Sequence, residues 1–222
     1  EMLRSLVGSE MCIRDRLYTE TCQLVVRADS NIQTLDDLSG HTVSIGAEES
    51  GTERNATQIL EFAGMPSSLV ATKNLDYIEA TKELKAGDID AFFCTAGLTT
   101  TVIDELSKEC DIRLIPLTDT VISKMLESSL AYTSEVIPAG TYTGQTTDIS
   151  TIGVKSVLIT KADVSDDTIE QLTSLLFEKE NEISYSNSLK LELTYDFATD
   201  DIPIPFHDGA KRYYKACGYS TN

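Results

Sequence analysis

The chain has 222 residues, with 36 acidic against 18 basic side chains, a formal net charge of −18 and a pI near 4.4. That length can bury a real core in one or two domains, and a 41% hydrophobic content marks a globular chain rather than a disordered one. So acidic a chain is repelled by DNA, RNA and anionic membranes, and no stretch reaches the ~18 consecutive apolar residues of a membrane-spanning helix.

Residues 1–16, EMLRSLVGSEMCIRDR, stand apart. They carry Arg4, Arg14 and Arg16 in an otherwise acidic chain and resemble translated sequencing-adapter strings. This segment is expected to be non-native and is set aside from fold reasoning. The chain opens on Glu1 and shows no signal peptide, as a fragment would.

From Leu17 the pattern is regular. CQLVVRA (22–28) is a short β-branched run and predicts a strand, and SNIQTLDDLSG adds a helical turn closed by Gly40. HTVSIGA (41–47) predicts a second strand, and TERNATQILEFAGM a helix closed by Gly64. LVATKNL reads as extended, YIEATKELKAG as an amphipathic helix stopped by Gly87, and IDAFFCTAG (89–97) as a buried strand ending in a Gly loop. LTTTVIDELSKE, IRLIPL (112–117) and TDTVISKMLESS continue as helix, strand, helix. SEVIPAGTYTGQTTDIS (134–150) is rich in Gly, Thr and Pro and predicts a loop. TIGVKSVLIT (151–160) is a strand, DVSDDTIEQLTSLLFEKENEIS a long helix with an acidic first turn, and the end a loop and a helix closed by Gly218. Short alternation of strand and helix implies βαβ units and a mostly parallel sheet. Ligands of such sheets sit beyond the carboxyl ends of the strands, where the loops 44–51 and 94–97 fall.

GAEESGTE (46–53) has the Gly–Gly separation of a phosphate loop, but Thr52 and Glu53 stand where that loop needs Lys and Ser/Thr. Glu48, Glu49 and Glu53 would also repel a polyphosphate. What remains is a helix N-terminus with free amides, opened by the S-x-x-E pattern of Ser50 and Glu53. Ser50, Gly51 and Thr52 can offer hydroxyl and N–H donors to a small carboxylate, with nearby acids placed to receive an ammonium group. Thr95, Ala96 and Gly97 end the neighbouring strand and are expected at the same cleft. Tyr142 and Gln145 supply an aromatic wall and an amide. Asn55 is expected to brace the loop, and His207 to be a packing residue.

Cys12, Cys22, Cys94, Cys110 and Cys217 include no C-x-x-C pair, and His41 and His207 are the two histidines, so a zinc site is not expected. An odd cysteine count argues against a complete disulfide framework, although one disulfide stays open. Cys94 belongs to a core run. No nucleophile–base constellation is present, so the chain is expected not to be an enzyme and to use no cofactor.

LVVRADSNIQTLDDLSGHTVSIGAEESGTERNATQIL, GDIDAFFCTAG, IPAGTYTGQTTDISTIGVKSVLIT and PFHDGAKRYYKACG together resemble the TAXI family of TRAP-transporter solute-binding proteins. The resemblance runs in order from about Leu17 to Gly218. It implies an α/β, type II periplasmic-binding-protein fold in which two lobes join at a hinge and close on a solute. Residues 32–148 would form lobe 2, and 17–31 with 149–222 the hinge strands and a partial lobe 1. The first lobe is incomplete, because the family's upstream region is absent, so the pocket would be half-walled and the chain alone would bind weakly. The resemblance further implies a periplasmic or extracytoplasmic monomer that captures glutamate or another amino or organic acid and delivers it to TRAP membrane subunits. The alternative is a ligand-sensing domain of the same fold in a receptor or regulator.

Overall fold

The computed structural model describes residues 11–179, 193–199 and 205–221. The chain divides into two compact units, Thr19–Val154 and Glu1–Tyr18 with Lys155–Asn222. Residues 19–31 and 149–154 are strands and loops of the larger unit's sheet and core.

Strand β1 (Met11–Arg27), which enters the larger unit at Thr19, leads to a 3-10 turn (Asp36–Leu38) and β2 (Thr42–Ser44). Helix α1 (Gly51–Phe62), β3 (Ala71–Lys73), α2 (Tyr77–Ala86) and β4 (Ala91–Gly97) follow. Then come α3 (Thr101–Glu109), β5 (Ile112–Leu114), α4 (Asp119–Ser128), β6 (Tyr132–Ile137) and β7 (Ile149–Lys161). The strand order is β3-β2-β4-β1-β7-β6, with β5 paired to β1.

The sheet is mixed rather than mostly parallel. β2 pairs in parallel with β3 and β4, but β1 opposes both β4 and β5, and β6 opposes β7. The parallel set is the βαβ portion. β1 breaks it because it comes before the first crossover and runs down the middle against its neighbours. The expected loop at 134–150 is also corrected: residues 134–137 belong to β6 and residues 149–150 to β7. In β6, half-buried Thr133 and Glu135 alternate with exposed Ser134 and Val136, a pattern that cross-strand pairing to β7 stabilises and composition alone hides.

Side-chain alternation along β1 divides the core. Cys22, Leu24 and Val26 face α1 and α4, packing with Ala56, Ile59, Leu60, Val121 and Met125. Val25 faces the other way, with Phe92 and Cys94 of β4, onto Ala80 and Leu84 of α2 and Ile103 and Leu106 of α3. The result is helices on both faces of one sheet. Caps explain the helix starts: Ser50, Thr118 and Asp76 each accept a backbone N–H in the first turn, and Asp76 with Glu79 completes a capping box.

In the smaller unit, α5 (Asp166–Glu178), α6 (Tyr195–Thr199) and α7 (Asp208–Ala216) carry a separate core of Ile169, Ala198, Phe206, Ala210 and Tyr214. The long helix expected from residue 163 starts at Asp166 after its Ser165 cap, and its expected end lies outside the described residues. Phe177 stacks on Tyr195 with ring centroids 4.7 Å apart. His207 is buried, and its Nδ1 accepts the Gly209 amide at 3.0 Å as the cap of α7. Arg16, at the β1 end, lies with its guanidinium 3.9 Å from the Phe197 ring centroid.

Candidate functional site

β2, β3, β4 and β5 point the same way, so their carboxyl ends share one edge of the sheet. The β1 register locates that edge: Glu20 faces Gly97 there, whereas Val26 faces Ala91 at the other end of β4. The two strand-end loops singled out in the sequence, after β2 and after β4, meet at this edge.

The first loop is tightly built. Gly46 has φ +98°, and a Cβ added there would lie 2.7 Å from Thr52 Cβ, so the backbone passes directly under the start of α1. Ser50 Oγ accepts the Glu53 amide at 3.1 Å. The Glu53 carboxylate does not return to the Ser50 amide, as a full capping box would. It accepts instead from the Glu49 amide at 2.6 Å and from Asn74 Nδ2 at 2.7 Å. The acid expected nearest to an incoming ammonium group is therefore already used to hold the loop. The amides of Gly51 and Thr52, first in the helix, have no intrahelical acceptor and keep their donor capacity. Gly51 is exposed and a Cβ there would meet open space, whereas Thr52 is buried.

Tyr77, which sequence reasoning missed, joins the two loops. Its hydroxyl donates to Thr95 O at 2.9 Å, stands 2.6 Å from Thr52 Oγ1 and accepts the Thr95 amide at 3.3 Å. With the tyrosine proton on Thr95 O, Thr52 is the donor in its own contact, so the Thr52 hydroxyl proton is spent inside the protein. What Thr52 keeps for a ligand is its backbone N–H. Burial, ahead of all other causes, pushes the Tyr77 phenol up to about 12, so it stays a neutral donor at any physiological pH. Asn55 ties the same place together from α1: Nδ2 lies 3.4 Å from Thr95 Oγ1, and Oδ1 accepts from Tyr132 at 3.0 Å. No feature of the sequence marks Tyr77, because an aromatic residue in the first turn of a helix reads as ordinary packing.

The two non-glycine residues with positive φ among the described residues, Glu49 at 60° and Thr99 at 62°, lie in these two loops. A β-branched residue there costs of order 1–3 kcal/mol and persists where neighbours over-determine it. Here the neighbour is Thr100, whose Oγ1 donates to Gly97 O at 2.9 Å and accepts from Gln23 Nε2 at 3.0 Å. Tyr142 completes this second knot. It is 3% exposed, donates to Gln23 Oε1 at 2.7 Å and accepts the Thr100 amide at 3.1 Å. Tyr142 therefore supports the β4 turn from beneath, and it also lines a cavity of about 470 Å³.

The expected residues separate into three positions. Ser50, Gly51, Thr52 and Thr95 come together through Tyr77, and Ala96 and Gly97 continue the same strand end. Tyr142 reaches that end through Thr100. Gln145 does not join them: its Nε2 lies 3.1–3.3 Å from the carbonyls of Ile137, Pro138 and Thr147, and its Oε1 accepts the Tyr142 amide. Its amide is consumed in closing its own loop.

Cys22, Cys94, Cys110 and Cys217 are free thiols. Cys22 and Cys94 are buried in the sheet, and desolvation pushes both thiols up to about 12. Among the described residues, no group of His, Cys, Asp and Glu is placed to hold a metal ion, and no helix is long and apolar enough to cross a membrane.

The backbone is similar to those of several solved solute-binding proteins. The periplasmic aliphatic sulphonate binding protein SsuA of Escherichia coli aligns over 83% of this chain at 14% identity and TM-score 0.47. An ArgBP mutant from T. maritima aligns over 82% at 16% identity and TM-score 0.43. A Streptococcus mutans structure described for glutathione import through GshT and the cystine importer TcyBC aligns over 86% at 12% identity and TM-score 0.49. The chain spans only 57%, 61% and 68% of their respective lengths. One family model matches residues 11–218, from the first described strand to the glycine that closes α7. The protein is thus a member of the NMT1-like family.

Proposed function

We propose that the protein is the extracytoplasmic solute-binding subunit of a TRAP-type transporter of the TAXI branch, and that it captures a small carboxylate such as glutamate. On this reading it binds and releases its solute without chemistry and passes it to the membrane subunits. The observation that carries the proposal is the Tyr77 bridge, with 2.6 Å to Thr52 Oγ1 and 2.9 Å to Thr95 O. It sets a helix N-terminus with two open amides beside the end of a central strand, an arrangement suited to a carboxylate. The ordered string of motifs from Leu17 to Gly218 supports the TAXI assignment, and the sulphonate and amino-acid names among similar structures are in keeping with a small anionic or zwitterionic solute. We assign residues 32–148 to lobe 2, and 17–31 with 149–222 to hinge strands and part of lobe 1.

Ligand and transporter are tested separately. Titration calorimetry with L-glutamate and a panel of organic acids should show saturable binding of at least one carboxylate and none of the matching amides or alcohols. Sodium-driven uptake into vesicles carrying TRAP membrane subunits should then depend on added protein. Binding without dependent uptake would remove the transporter and keep the site, whereas binding of no carboxylate would remove both.

A further inference from the structure

A cavity of about 470 Å³ lies wholly within the larger unit, and Tyr142 and Gln145 are among the residues that line it. Its walls include Gln33, Arg113, Thr147 and Asp148. The β1 register sets it at the opposite end of the sheet, since Arg27 faces Ile112 there. That volume falls in the ordinary range for small-molecule sites.

Three features of the walls point to a ligand. The first is Arg113. Its Nη1 donates to Ser30 O at 3.2 Å and Ile32 O at 2.9 Å, and its Nη2 to Ala28 O at 2.6 Å. A guanidinium has five N–H donors, so Nε–H and one Nη2–H are left, and no carboxylate of the described residues pairs with it. In a chain of net charge −18, a rigidly held arginine without an acidic partner is a local excess of positive charge. The second is Asp148. Its Oδ1 accepts the Ala139 amide at 2.8 Å, which orients the carboxylate and leaves Oδ2 without a protein donor among the described residues. The third is the outer edge of β5. In the β1–β5 ladder, Ala28 N donates to Asp111 O and Ile115 N to Leu24 O. The alternation of an antiparallel ladder then turns the N–H and C=O of Ile112 and Leu114 away from β1, and both residues line the cavity.

We propose that this cavity is a binding site for a short peptide-like zwitterion, a free amino acid or a dipeptide. The α-carboxylate meets Arg113, the ammonium group meets Asp148 Oδ2, and a peptide group pairs with the open edge of β5. The proposal does not rest on the transporter reading; Tyr142, which accepts the Thr100 amide at the β4 turn, is the wall residue that links this cavity to the other edge. Carboxylate and guanidinium match in planar, two-point geometry, and an added backbone strand is a recurring way to hold a peptide.

The test uses three small probes: glycylglycine, N-acetylglycine, which lacks the ammonium group, and glycinamide, which lacks the carboxylate. Binding to the whole chain is followed by amide chemical shifts. Glycylglycine should shift Gln33, Ile112, Leu114, Thr146 and Thr147, and each truncated probe should bind about tenfold more weakly. Asp148→Asn, which retains an acceptor for the Ala139 amide, should abolish the preference for glycylglycine over N-acetylglycine. Arg113→Lys should abolish the preference over glycinamide; if that variant does not fold, Gln33→Ala should still weaken glycylglycine. Shifts confined to residues 50–52 and 95–97, no shifts at millimolar probe, or an unchanged preference in Asp148→Asn would each overturn the proposal.

Discussion

Thr52 and Thr95 lie on different elements, α1 and β4, and share one phenolic hydroxyl: Tyr77 stands 2.6 Å from Thr52 Oγ1 and 2.9 Å from Thr95 O. Tyr77→Phe removes that hydroxyl and leaves both threonine groups without this partner. The expected loss is about 1–3 kcal/mol of stability, read by urea unfolding. Carboxylate affinity should fall as well, because the open amides of α1 lose their reference to β4. Wild-type stability in Tyr77→Phe would mean that the bridge does not hold the edge.

Thr52→Val keeps the shape of the buried side chain and removes its bond to Tyr77. Carboxylate affinity should drop at least tenfold, about 1.4 kcal/mol, and Thr52→Ser should restore most of it. Unchanged affinity of Thr52→Val in a folded protein would show that the Thr52–Tyr77 contact does not position the binding amides.

Gly46→Ala places a methyl group 2.7 Å from Thr52 Cβ at φ +98°. Neither the backbone nor the helix start can yield freely, and a destabilisation of about 1–3 kcal/mol is expected. Gly51→Ala is the control, since its Cβ meets nothing within 4 Å. Equal effects of the two substitutions would show that the loop is not packed as described.

Tyr142→Phe leaves the Thr100 amide and Gln23 Oε1 without their shared partner. Loss of about 1–3 kcal/mol is expected, with faster hydrogen exchange at residues 98–101. Exchange unchanged there would detach Tyr142 from the β4 turn.

The buried thiols set the alkaline limit. Cys22 and Cys94 are raised to about 12 from an ordinary value of 9.0. Between those values the unfolded chain gives up protons that the folded chain keeps. Their contribution is therefore intact below pH 9 and is lost as pH rises toward 12, at up to about 1.4 kcal/mol per pH unit for each thiol. Urea unfolding against pH should show this fall, and Cys94→Ala should reduce the slope by about one proton. An identical slope in Cys94→Ala would contradict the assignment.

Much of the larger unit is legible in the sequence alone. CQLVVRA and IDAFFCTAG read as buried strands because each carries an apolar run, Leu24–Val26 and Ala91–Cys94, and each is central in the sheet. Gly64 and Gly87 marked helix ends and have φ of 76° and 83°. Direction was not legible: a strand's sequence is the same whether its neighbour runs with or against it, so β1 was read into a parallel sheet. β6 was hidden because its stability lies in cross-strand pairs with β7. At the site, the Gly-Ser-Thr pattern located the helix start, but the fate of each hydroxyl depends on partners distant in sequence. Thr52 and Tyr77 are 25 positions apart, and Tyr142 and Gln23 are 119. Gln145 looked like a free amide because the turn that consumes it is defined by backbone carbonyls, which no side-chain pattern records.

The most direct test of the central claim is amide chemical-shift mapping of the protein during titration with L-glutamate and related organic acids. The account predicts saturable shifts at Ser50, Gly51, Thr52, Thr95, Ala96 and Gly97 with at least one carboxylate, and their loss in Thr52→Val. Saturable binding that leaves those six residues unmoved, or no binding of any carboxylate, would contradict it.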